Sequence, residues 1–112
     1  MQLDKDKLHL LHIRDALKKI EEYSNEITFA EFIKNNKDFD AIMMQIIVIG
    51  EAVNSLSDKF KEIHHDLPWS QAVGLRNQTA HGYFDIRPEI VWDTVKQDMP
   101  KLKKSVEKIL EG

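Results

Sequence analysis

From Phe39 to Ile63 the apolar residues keep an unbroken 3-4-3-4 rhythm: Phe39, Ile42, Ile46, Ile49, Val53, Leu56, Phe60 and Ile63. That spacing lines one face of an α-helix, whereas a strand would need apolar residues at every second position. Met43, Ile47 and Val48 widen the face, so this helix is expected to touch neighbours on more than one side. A long, broadly apolar helix cannot stand alone in water, and the rest of the chain has to supply its cover.

The remaining segments are helical in pattern as well. Leu3, Leu10, Ile13, Leu17 and Ile20 form a 3/4-spaced stripe, which predicts a first helix ending near Ser24-Asn25. Thr28-Phe29-Ala30-Glu31 has the form of a capping box, with Ile27 and Phe32 in the positions of a hydrophobic staple. A short second helix therefore runs from Thr28 to about Asn35-Asn36. After the spine, Leu67-Pro68-Trp69 marks a new start, with Pro68 near the first turn of a fourth helix that carries Ala72, Val73 and Leu75. Gly82 falls where a left-handed C-terminal cap is expected. A last helix begins near Pro88 on the stripe Trp92, Val95, Met99, Leu102, Val106 and Ile109, with Pro100 predicting a kink inside it. Trp69 and Trp92 read as core. The expected fold is all-α: one domain over residues 1–112, an up-and-down bundle of four long helices plus one short helix. The apolar excess on the spine is compatible with a homodimer and leaves a monomer open.

Composition narrows the function. At 112 residues, 42% hydrophobic and 31% charged, the chain can bury a core of its own. It has no cysteine, so disulfides and thiolate metal sites are excluded. A reducing cytoplasm suits such a chain. Asp4-Lys5 and Asp6-Lys7 interrupt the N-terminus and no apolar run follows, so no export signal is expected. The longest uncharged apolar run, Ala41 to Gly50, is too short to span a bilayer, and no membrane association is expected. The net charge of −3 argues against a dedicated duplex-DNA binder. Thirteen of the sixteen basic residues are lysines, and the only arginines are Arg14, Arg76 and Arg87. Where solvation alone is needed the chain uses Lys, which draws attention to Arg76 beside His81.

Arg76-Asn77-Gln78-Thr79-Ala80-His81-Gly82-Tyr83 is the segment best suited to chemistry. On a helix Asn77 and His81 are i and i+4, so Asn77 is placed to orient the imidazole. Arg76 lies five residues before His81, about 140° away round the axis. A long arginine can lean toward the same cleft, or it can meet the motif of a second chain across a two-fold axis. Guanidinium grips phosphate oxygens in a fork, and histidine can give or take a proton near neutral pH. Together they suffice, without metal, for attack of a ribose 2′-hydroxyl on its adjacent phosphate, with Arg stabilising the phosphorane charge. By spacing alone the pair is short and recurs by accident, and a histidine at a helix end is commonly a cap or a surface residue.

The run Gly74-Leu75-Arg76-Asn77-Gln78-Thr79-Ala80-His81-Gly82-Tyr83-Phe84 resembles the R-x4-H-x-Y signature of HepT-like proteins, the DUF86 branch of the HEPN superfamily. The likeness extends to Ile49-Gly50-Glu51-Ala52, Leu67-Pro68-Trp69, Ile90-Val91-Trp92 and Asp98-Met99-Pro100, and so covers nearly the whole chain in order. The resemblance implies an HEPN-like homodimeric bundle with two motifs facing a shared cleft. It further implies a metal-independent endoribonuclease toxin acting on RNA, without cofactor, and paired with a minimal nucleotidyltransferase antitoxin of the MntA type. By position, Arg76 and His81 match the catalytic pair, Asn77 the polar residue after the arginine, and Tyr83 the tyrosine that such an antitoxin modifies with AMP. A bulky, negative adduct two residues from His81 would repel RNA phosphate. A different reading is a noncatalytic helical dimer that partners a nucleotidyltransferase and binds nucleotide, which the acidic balance also suits; a third is a nucleotide binder with Arg76 as phosphate clamp.

Other candidates carry less. His9, His12 and Asp15 share a helix face, but no recognised zinc motif supports a metal site there. His64 and His65 are adjacent, about 100° apart on a helix, and make poor co-ligands. Glu51 interrupts the apolar face beside Gly50, where it can pair with Arg76, face a dimer seam, or simply lie exposed.

Overall fold

The computed structural model describes the backbone of residues 2–112 and the side chains of residues 5–112. Its helices are α1 (Gln2–Asn25), α2 (Phe29–Lys34), α3 (Asn36–Ser55), α4 (Asp58–Ile63), α5 (Ser70–Gly82), α6 (Pro88–Asp93) and α7 (Met99–Glu111). A 3₁₀ turn at Tyr83–Asp85 follows α5, and a π-helical turn at Thr94–Asp98 joins α6 to α7 in one continuous rod. Four long helical rods result, and they close a ring: α3 packs on α1 and α5, α1 packs on α7, and the π turn meets both α1 and α5.

The spine carries the core. Ile42, Met43, Ile46, Ile49 and Val53 of α3 are buried against Leu10, Ile13, Leu17 and Ile20 of α1 and Leu102 and Val106 of α7. Each such side chain contributes roughly 1.5–3 kcal/mol relative to exposure. The stripe on α1 holds from Leu10 onward; the side chain of Leu3 lies outside the described residues. The capping box at α2 forms both of its bonds: Glu31 N–H donates to Thr28 Oγ1 (3.2 Å) and Thr28 N–H donates to Glu31 Oε1 (2.8 Å). Phe32 then sits buried with its ring 5.7 Å from Phe39 and 5.0 Å from Trp92.

The structure departs from the sequence expectations in five places. The spine does not run unbroken to Ile63: it ends at Ser55, and a second short helix, α4, follows Ser57. Among the described residues the bundle thus has two short helices beside the long rods, not one. The cause is a capping serine that apolar periodicity cannot register. Ser57 Oγ accepts from Phe60 N–H (3.1 Å), while Ser57 N–H and Oγ–H both donate to the buried carboxylate of Asp6 (2.8 and 2.7 Å). Past this break Ile63, which the continuous helix would have buried, is exposed.

Gly82 is not a left-handed cap. Its φ is 170°, an extended value, and the chain passes from α5 straight into the 3₁₀ turn. Around Pro100 the helix widens over the preceding turn: Met99 N–H reaches back five residues to the Thr94 carbonyl. A proline lacks its own N–H and crowds the carbonyl four residues earlier. The π turn takes up that misfit while the helix continues. Trp92 is half-buried, not core; it stacks on Phe32 and carries Lys96 Nζ 4.8 Å above its ring. Among the described residues, no helix is long and apolar enough to cross a membrane.

Candidate active site

Helix α5 carries the motif and is held to the bundle by little: only Ala72 and Leu75 are buried, with Val73 half-buried. What lets so sparse a helix seat itself is the missing side chain at Gly50 on α3. A Cβ there would lie 2.6 Å from Arg76 Cβ, 3.0 Å from Arg76 Cγ and 3.2 Å from the Ala72 carbonyl oxygen. The close approach of α3 and α5 therefore occurs at Arg76 itself, and the base of the arginine side chain sits in the seam between the two helices.

The arginine head has no carboxylate within ion-pair distance among the described residues. Arg76 Nη1 donates to Asn77 Oδ1 at 3.1 Å. The Asn77 oxygen is thus engaged by the guanidinium next to it. Glu51, one residue from Gly50, is exposed and does not pair with Arg76. Thr79 Oγ1 donates to the Arg76 carbonyl, which ties the middle of the motif to its first residue.

His81 is exposed and lies within α5, so the ideal helical offset from Arg76 applies: about 140° round the axis and 7.5 Å along it. By the same geometry Gly74, Asn77, Gln78 and His81 share one face of α5. That face is open at Gly74, where a Cβ would meet no atom within 4 Å. Arg76 points to the seam side and His81 to the open side.

Tyr83 begins the 3₁₀ turn, and its hydroxyl donates to Asp40 Oδ1 at 2.6 Å. Its ring meets Phe39 edge-on at 5.8 Å. Burial pushes the phenol's ionisation well above the usual range, and the hydrogen bond and negative charge of Asp40 push it the same way. Asp40 was not legible as a site residue. It lies in a run of ordinary helix-start acids, and only the antiparallel packing of α5 on α3 brings it to Tyr83. Gly50 and Asp40 are ten residues apart on α3, about 15 Å at 1.5 Å per residue. Arg76 and the Tyr83 hydroxyl thus occupy separate stations along the same seam. Beside Tyr83 and Asp40 runs a groove of about 400 Å³ walled by Phe32, Ile33, Phe39, Phe84 and Pro88.

The other histidines lie elsewhere. His9 and His12 face each other edge-on at 6.4 Å, and the His64 ring stacks 4.4 Å from Phe60. Among the described residues there is no group of three or more side chains placed to hold a metal ion.

A family model described as ribonuclease HepT-like matches residues 13–109, all but the two ends of the chain. The chain belongs to the HepT-like family. A protein of Thermococcus cleftensis named Probable ribonuclease HepT is 35% identical over 101 residues, which is 90% of this chain and 92% of the relative. A Methanocaldococcus jannaschii protein named as a putative RNase is 37% identical over 101 residues, 90% of this chain and 93% of that one. A second protein of the same organism, whose name joins gamma-glutamylcyclotransferase and putative RNase, is 34% identical over 105 residues, and there the HepT-like chain spans 47% of the longer relative. No solved structure matches. The family match includes α3, α5 and the last helical rod, the elements that set Arg76, His81 and Tyr83 in place.

Proposed function

We propose that this HepT-like chain is a metal-independent endoribonuclease, the toxin of a pair whose antitoxin is an MntA-like nucleotidyltransferase. The observation that carries the reading is the state of Arg76: the base of its side chain is packed against Gly50, while its guanidinium is left without a carboxylate among the described residues. A fixed, uncompensated guanidinium is suited to a phosphate. His81, exposed on the same helix, is available for proton transfer. In the proposed reaction His81 takes the proton of a ribose 2′-hydroxyl, which attacks the adjacent phosphorus. The 5′-oxygen of the next nucleotide leaves with a proton returned by the imidazole. Arg76, held by Asn77, stabilises the extra negative charge on the phosphorane.

The angular offset between Arg76 and His81 supports a shared cleft. With one residue turned to the α3 seam and the other to the open face of α5, a second copy related by a two-fold axis brings the Arg of one chain toward the His of the other. The open face at Gly74 leaves room for such an approach. In this reading Tyr83 is the off switch: AMP attached to its hydroxyl adds bulk and negative charge at the end of the motif helix and repels the RNA backbone.

Incubation of the purified chain with single-stranded RNA in EDTA tests the reading. Cleavage by the wild type, with loss in both Arg76→Ala and His81→Ala, is expected. Equal cleavage by wild type and variants, or a strict need for metal, rejects the mechanism. Absence of cleavage together with tight binding of a nucleotidyltransferase that survives His81→Ala would favour the noncatalytic partner module instead.

A further inference from the structure

The hydrogen bond between Tyr83 and Asp40 joins residues 43 apart in sequence and clamps the turn after α5 onto the first half of α3. Both residues are at or near the surface, with Asp40 exposed and Tyr83 half-buried. As a structural tie such a bond is worth little, because water competes for both partners. Its geometry is better suited to chemistry. The carboxylate oxygen sits 2.6 Å from the phenol oxygen, within the distance a general base needs. The groove beside them leaves an approach to that oxygen.

We propose that Asp40 is the proton acceptor when a nucleotidyl group is transferred to Tyr83. The inference rests on the reading of Tyr83 as the AMP acceptor. In the step, Tyr83 Oη forms a bond to the α-phosphorus of a nucleoside triphosphate. The bond from that phosphorus to the bridging oxygen breaks, and pyrophosphate leaves with the electron pair. The phenolic proton passes to Asp40 Oδ1. The transferase holds the triphosphate and its divalent ion; the acceptor chain supplies the nucleophile and the base.

Two features explain why the acceptor needs a base of its own. A phenol lodged beside a carboxylate and partly screened from water stays protonated at neutral pH, so no phenolate stands ready to attack. The hydrogen bond also fixes the hydroxyl, with the Phe39 ring edge-on to the tyrosine ring; because the O–H donates, the oxygen's lone pairs are not engaged with Asp40. Asparagine at position 40 can still accept the phenol's hydrogen bond, but it cannot take the proton. That separates a base from a tether.

The test uses the full chain with an MntA-type nucleotidyltransferase, ATP and Mg²⁺, with intact-mass measurement of AMP incorporation over time. The wild type is expected to gain AMP and Tyr83→Phe to gain none. Asp40→Asn should slow by on the order of 10²-fold while keeping its melting temperature and its affinity for the transferase. Asp40→Glu should recover part of the rate. Modification of Asp40→Asn at the wild-type rate overturns the proposal and leaves Tyr83 as the acceptor. No AMP on the wild-type chain overturns the Tyr83 reading, and the proposal with it.

Discussion

Gly50 and Arg76 share one point of the α3–α5 seam so closely that no side chain fits between them; the Cβ of any other residue at position 50 would lie 2.6 Å from Arg76 Cβ. The atom it would strike is the base of a side chain fixed to a helix, not a flexible tip. Gly50→Ala must therefore push α5 outward or distort it. A loss of about 1–3 kcal/mol in urea unfolding is expected, as for overpacked cores. RNA cleavage should fall further than stability accounts for, because the displaced residue is Arg76. Retention of full cleavage and stability would show that the contact is not what places the arginine.

At Asp6 the prediction concerns stability alone. Its buried carboxylate accepts both the N–H and the hydroxyl of Ser57, and so holds α4 to α1. Asp6→Ala leaves the Ser57 amide without that partner. It should cost roughly 1–3 kcal/mol, read as a lower urea midpoint at unchanged slope. Ser57→Ala also removes two bonds, the cap to Phe60 N–H and the hydroxyl bond to Asp6, and should lower the midpoint by a comparable amount.

These two pairs show where sequence reading reached and where it stopped. The apolar rhythms gave the helical class and the buried faces of α1, α3 and the last rod, because burial follows the 3.6-residue period directly. The same rhythm hid the break after Ser55, since Leu56 and Phe60 stay in phase although Leu56 closes one helix and Ser57 caps the next. The signal was present as a capping serine followed by an acid, Ser57-Asp58, and it needed to be weighed against the stripe. Pro100 announced a disturbance, but whether a helix bends or inserts a π turn depends on its neighbours. In the site, Arg76, His81 and Tyr83 stood out in one octapeptide. Asp40 and the role of Gly50 did not, because both depend on which residues of α3 lie opposite α5.

Tyr83 offers a spectroscopic check. In a Tyr23→Phe background the remaining phenol should stay un-ionised as pH rises through the ordinary phenol value near 10. The sign for stability follows. The unfolded chain loses its phenolic proton first, so the contribution of Tyr83 is fully present below that value and is lost as pH rises above it. Asp40→Asn should bring the ionisation down only part of the way, because burial is the larger cause. Ionisation of Tyr83 in the ordinary range would mean that the hydroxyl is not held as described.

The open face of α5 makes a further distinction. A methyl at Gly74 would meet no atom of the described residues within 4 Å, so Gly74→Ala should raise helix stability by about 0.5–1 kcal/mol. Gly74→Leu should also fold, yet it should lower RNA cleavage if a second chain approaches that face. Sedimentation of the same variant should show a shift toward monomer. A fully active, dimeric Gly74→Leu protein would place the dimer contact elsewhere.

The shared cleft can be tested most directly by complementation. Arg76→Ala and His81→Ala chains, each inactive alone, are mixed and allowed to exchange subunits, and RNA cleavage is measured in EDTA. If one chain lends the arginine and the other the histidine, half the dimers are mixed and each holds one intact site, so activity should return to about a quarter of wild type. A mixture that stays at the level of the single variants, beside an active wild type, would contradict a site built from two chains.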